Sequence, residues 1–166
     1  MLSNNEKDSK RVIREKASYR LAMNIRLIAV SFIVFIFILT TRPEILTEKL
    51  IFSFQLILAI PFILMSCMSL SKMGYSKRSD KWKGFSWFNF VIGYAFLLNA
   101  IGILIAIYVN LLLAVLFFSA IWILQIAYSI LEVSYDKFAK WESVLKDGFF
   151  ILLQIILGLL PALGVF

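Results

Sequence analysis

Residues 85 to 131 run for 47 positions without one charged side chain, and no other feature constrains the chain as strongly. A helix needs about 20 residues at 1.5 Å each to cross roughly 30 Å of hydrocarbon, so this run is about twice the length of one crossing. It has the length of a helical hairpin. The best turn signal inside it is Asn110, between Tyr108-Val109 and the next Leu run. That signal predicts spans over about residues 86–107 and 111–131, joined by a short uncharged turn.

Backbone in hydrocarbon must satisfy its own hydrogen bonds, which leaves helices or a closed barrel. A barrel needs strands alternating apolar and polar residues, whereas this chain has 16 Phe and long Ile and Leu runs with no period of two. The apolar share is 61% and the charged share 16%. Soluble domains have about 45–50% and about 25%, so a water-facing surface cannot be covered. With 166 residues the chain is one unit rather than two.

The remaining spans follow from charge and breaker residues. Residues 1–22 are polar, with Ser3 and Glu6 spaced as a capping box and Glu6–Lys10 and Arg11–Glu15 at i,i+4, so a cytoplasmic helix is expected to run into the first span. Span one is placed at about 23–41, ended by Arg42-Pro43-Glu44, and it reads as a signal anchor because no small-x-small cleavage site follows it. Span two is placed at about 50–71 with Pro61 near its middle, where a kink is expected. Phe138, Trp141, Leu145 and Phe149 recur at helical spacing among charges, which suggests an interfacial helix over about 133–147. The last span is placed at 149–166; its 18 uncharged residues are at the low end for a crossing, and a short or re-entrant helix is the alternative. The fold expected is an all-α polytopic transmembrane bundle of five spans over residues 23–166, or four plus a re-entrant helix.

Orientation follows from Lys and Arg. The N-terminal segment and the loops after spans two and four together hold fifteen, and the loop after span one holds two. Five spans with the N-terminus in the cytoplasm and the C-terminus outside the cell membrane fit this alternation. Lys77, Arg78, Lys81 and Lys83 are candidate contacts for anionic lipid, each worth about 1 kcal/mol near an anionic leaflet. Ordinary positive-inside bias also accounts for them, and no aromatic-interleaved basic tract points to nucleic acid.

Chemistry-bearing groups are scarce. The chain has no His and one Cys, Cys67, so the usual general base, the commonest metal ligand and any C-x-x-C motif are missing. The seven Gly are scattered and form no phosphate loop, and the expected spans hold no ionisable residue in their interiors. A quinone-linked thiol oxidase would need paired Cys, and a small multidrug exporter a membrane-buried Glu. No catalytic residue, metal site or cofactor is expected.

The uncharged polar residues do show order. In span two Gln55, Ala59, Ser66 and Ser69 share one helix face; in span three Ala95, Asn99, Gly102 and Ala106 do; in the last span Gln154, Gly158 and Pro161 do, with Ala162 beside them. Ala95, Gly102, Ala106, Gly158 and Ala162 are therefore helix-packing candidates. Depth counting pairs Gln125 with Gln154 at about 10 Å from the cytoplasmic surface and Asn99 with Gln55 at about 20 Å. Interhelical glue is the plain reading of these four amides; a neutral polar path is the sharper one. Trp82, Trp87 and Trp141 read as interfacial anchors, and Trp122 as a packing residue with its N–H paired to a neighbour. By elimination the chain is expected to be a non-enzymatic membrane subunit of a homo-oligomer or larger complex, partnered by lipid. A channel or a carrier of neutral or lipidic substrate is the alternative.

Overall fold

The computed structural model describes residues 4–73, 79–135 and 140–164, with side chains described for 15–73, 81–131 and 145–164. Every described element is helical: α1 (Asn4–Thr41), α2 (Ile45–Glu48), α3 (Leu50–Met73), α4 (Ser79–Tyr108), α5 (Leu111–Tyr135), α6 (Lys140–Gln154), a π-helical turn (Ile155–Leu159) and α7 (Leu160–Ala162). Among the described residues, five stretches are long and apolar enough to cross a membrane: Glu15–Thr41, Leu50–Met73, Lys81–Tyr108, Leu111–Leu131 and Leu145–Ala162. The chain is an all-α polytopic membrane protein with five candidate spans.

The boundaries obey local chemistry. α4 stops at Tyr108 and α5 starts at Leu111, and Asn110 caps the new helix by accepting the Leu113 N–H on its Oδ1 at 2.8 Å. That cap satisfies one of the orphan donors a helix start leaves. Pro61 lies inside α3, which continues through it as helix. Between α1 and α3, Arg42 and Pro43 break the helix, and Ser53 donates its hydroxyl to the Leu46 carbonyl at 2.7 Å. The last helix ends at Ala162, and Gly164 follows at φ +77°, a conformation that favours glycine at a helix C-terminus.

Two expectations change. The interfacial helix foreseen over 133–147 is not separate from the last span, because α6 runs unbroken from Lys140 and passes through the π turn to Ala162. Residues 136–139, which include Phe138, lie outside the described residues. Among the described residues the last candidate span covers Leu145–Ala162, which includes Asp147. The charges on this segment disguised its continuity.

The helices divide into two units, residues 1–43 with 57–94, and residues 44–56 with 95–166. In the first, α1 buries Asn24, Ser31 and Ile38, three positions seven apart, so one narrow stripe of a long helix faces protein. Across the helix Phe32, Ile33, Ile36 and Phe37 are exposed. Gly93 of α4 allows close approach of α3, since a Cβ there would lie 3.1 Å from the Ala59 carbonyl oxygen and 2.7 Å from Ile63 Cγ1.

In the second unit the wedge is Phe118 of α5, fully buried. A Cβ on Gly102 of α4 would meet its ring, with Cε2 at 2.6 Å, and a Cβ on Gly158 of the π turn would lie 2.8 Å from its Cε1. One aromatic ring therefore occupies the space that two glycines leave open. Ala95 is fully buried as well, while Ala106 and Ala162 are half-buried. Of the small residues foreseen as packing sites, Gly102 and Gly158 make room for a side chain, the Phe118 ring. Phe118→Ala is expected to cost about 3–5 kcal/mol, the usual range for emptying such a site. Gly102→Leu should also destabilise by forcing the ring out, and reversible unfolding in mild detergent measures both.

Candidate functional site

Among the described residues, each unit holds a cluster of buried amides and hydroxyls. In the first unit Asn24 of α1 donates from Nδ2 to Ser66 Oγ of α3 at 3.0 Å, and Ser66 Oγ lies 3.0 Å from Ser86 Oγ of α4. Ser86 also donates to the Ser66 carbonyl at 3.2 Å. Three helices are thereby joined through short polar side chains in an apolar setting. Other hydroxyls and amides turn back on their own helix: Ser31 to the Leu27 carbonyl, Ser69 to Met65 and Asn89 to Phe85. Neither Asn24 nor Ser86 stands out in the sequence. The available signal is the heptad spacing of Asn24, Ser31 and Ile38 along α1.

The second cluster contains three of the four amides singled out from sequence. Gln55, Asn99 and Gln154 are each 0% exposed. Asn99 donates from Nδ2 to Gln55 Oε1 at 2.8 Å, so the expected partnership at that depth is present in the structure. A second, longer contact runs from the same Nδ2 to the Leu153 carbonyl at 3.4 Å. Gln55 in turn donates from Nε2 to the Leu157 carbonyl at 2.6 Å.

That last bond has a covalent cause. Pro161 has no N–H for the carbonyl four residues earlier, which is that of Leu157, and its ring crowds the same carbonyl. One turn earlier the helix is already loosened, with the Leu160 N–H on the Ile155 carbonyl five residues back. Gln55 supplies from α3 the donor that Pro161 cannot. A lone carbonyl in hydrocarbon costs several kcal/mol, so the amide and the proline are a matched pair. Gly158 makes room for the arrangement: a Cβ there would press on Asn99 Oδ1.

The pairing of Gln125 with Gln154 does not form. Gln125 donates from Nε2 to Asp147 Oδ1 at 2.6 Å instead. A carboxylate is the stronger acceptor, and α6 carries it onto the face of α5 because the helix has no break after residue 147. An ionisable group, Asp147, therefore does stand within the last candidate span. Neither amide atom of Gln154 has a hydrogen-bond partner among the described residues, and the same holds for Asn99 Oδ1, Asp147 Oδ2 and Trp122 Nε1. The expectation that the Trp122 N–H is paired is thus not met.

At the basic end of α4, Lys81 and Lys83 are exposed, while Lys77 and Arg78 lie outside the described residues. Lys72 places its ammonium 4.7 Å from the centroid of the Trp82 ring, which joins a cation and an aromatic as at a membrane interface. Trp87 is half-buried, and the side chain of Trp141 lies outside those described. No protein-family model, curated protein or solved structure matches this chain.

Gln55→Leu should cost about 0.6–2 kcal/mol, the range of interhelical hydrogen bonds in lipid. In a Pro161→Ala background, where residue 161 regains an N–H for the Leu157 carbonyl, the same change should cost less. A double-mutant cycle on unfolding in detergent reads the difference; strict additivity would dissociate Gln55 from Pro161.

Proposed function

We propose that the chain is a non-enzymatic integral membrane subunit of the cell membrane, working by helix packing in a homo-oligomer or larger membrane complex. The supporting observation is where small residues remain exposed. Gly102 and Gly158 are consumed inside the second unit by Phe118. On α5, Leu113, Leu116 and Ile123 are exposed, and Ala120 and Ala127 with them. Their spacing of three and four residues is that of a seam into which a second helix packs knobs into holes. Two alanines seven apart let another backbone come close, which is how helices associate where lipid and Leu are equally apolar.

An oligomeric pore lined by neutral amides finds less support. Gln55, Asn99 and Gln154 are enclosed within a single chain, so they do not face a path between copies. Lipid is the other partner, through the exposed apolar faces of α1 and α5. The Lys and Arg distribution favours an N-terminus in the cytoplasm and a C-terminus outside, with Lys81 and Lys83 facing the anionic leaflet.

Cross-linking tests the subunit reading. With Cys67→Ser removing the only native thiol, a cysteine at Ala120 or Ala127 should form a cross-link to a neighbouring chain in native membranes, and one at Ser31 should not. Native mass in mild detergent should show more than one chain or a companion subunit. A strict monomer without companions would contradict the proposal. A protease site at residue 1 should be cut only from the cytoplasmic side.

A further inference from the structure

Gln154 is a side chain with one amide donor and one amide acceptor, 0% exposed, and neither atom is hydrogen-bonded among the described residues. Buried amides of this kind are rare, because the group loses its water and gains nothing in return. It does not stand alone. Asn99 Oδ1, in the cluster one helix away, also lacks a donor, and its Nδ2 is already committed to Gln55 and the Leu153 carbonyl. Leu153 is the residue before Gln154, so Asn99, on α4, reaches the backbone of α6 beside Gln154.

A second set lies along the seam of α5 and α6. Gln125 contacts Asp147 near one end of this seam, and Phe118 contacts Gly158 near the other. Trp122 lies between on α5, its ring 6.4 Å from that of Phe118, and Gln154 lies between on α6. Trp122 Nε1 is a buried donor without an acceptor, and Asp147 Oδ2 a buried acceptor without a donor.

We propose that this seam binds ordered internal water, one molecule at Gln154 and Asn99 and another toward Trp122 and Asp147. The chemistry of the unmet groups selects the ligand. Asn99 Oδ1 and Gln154 Oε1 need donors and Gln154 Nε2 needs an acceptor, a demand that a molecule with two O–H donors and two lone pairs meets at once. Trp122 Nε1 is a donor that lacks an acceptor and Asp147 Oδ2 an acceptor that lacks a donor, so each has a place for a molecule that can accept or donate. Water does both, and a polar site offering two to four partners is where buried water is found. The π turn beside the site fits this assignment, as such turns loosen the ladder and recur where a helix contacts a bound group. The last span is thereby hydrated internally although its outer face is apolar. This assignment does not depend on oligomerisation.

Water-edited solid-state NMR on the full-length protein in liposomes, with 15N in the side-chain amides, reads this directly. Polarisation from water should reach Gln154 Nε2 at a rate within about threefold of that for Asn110, which is exposed at the α4–α5 turn. It should be at least tenfold faster than for Asn89, which is buried and bonded to its own helix. A rate at Gln154 as slow as that of Asn89 would overturn the proposal. Gln154→Leu gives a second readout that survives any doubt about resonance assignment. Loss of the bridging partner should strand Asn99 Oδ1 and lower Tm by roughly 2–8 °C. If the site is dry, removing an orphaned amide should raise Tm, and that result too would overturn the assignment.

Discussion

A backbone carbonyl left without a donor in hydrocarbon is the constraint on which this structure depends. Five long helices satisfy almost every such group internally, which is why the described chain contains helix and little else. The exception is instructive. Pro161 withdraws the donor from the Leu157 carbonyl within the last span, and an amide from α3, Gln55, replaces it at 2.6 Å. Once Gln55 is fixed there, its Oε1 holds Asn99, and the bend-prone end of the last helix is tied to α3 and α4. The first unit uses the same logic with smaller groups, Asn24, Ser66 and Ser86 joining α1, α3 and α4.

The outer faces follow from the complement of this rule. Of an 18-residue apolar stretch in each span, half is buried in α4 but only 11% in Leu111–Leu131 and 17% in Glu15–Thr41. Such exposure would be ruinous in water and is ordinary in acyl chains, where Leu, Ile and Phe lose nothing by facing outward. Packing among the helices must then come from shape. Phe118 between Gly102 and Gly158 supplies it in the second unit, and Ile63 against Gly93 in the first.

The spans and the hairpin turn at Asn110 are legible from sequence because length, charge and a capping side chain are local properties. The face containing Gln55, Ala59, Ser66 and Ser69 is legible too, since helical spacing alone puts them together, and all four are buried. The Asn99–Gln55 bond is recoverable by depth counting because both helices end cleanly at charged or turn residues. The Gln125 bond is not, because the charges before residue 148 read as interface while α6 continues through them and carries Asp147 to Gln125. Asn24 and Ser86 escaped because each lies within a turn of a span's polar start, where a small polar residue looks like interface. The role of Pro161 was invisible in one helix, as the donor that answers it is 106 positions away in sequence.

The central claim is that these helices cross a bilayer with their backbones dry and their amides turned inward. Polarised infrared spectroscopy of the full-length protein in aligned bilayers, taken before and after transfer to D2O, tests it most directly. The account predicts amide I dichroism with helix axes near the membrane normal and a large population of backbone amides that resist exchange for hours. Helix axes lying in the membrane plane, or exchange of nearly every backbone amide within minutes, would contradict it.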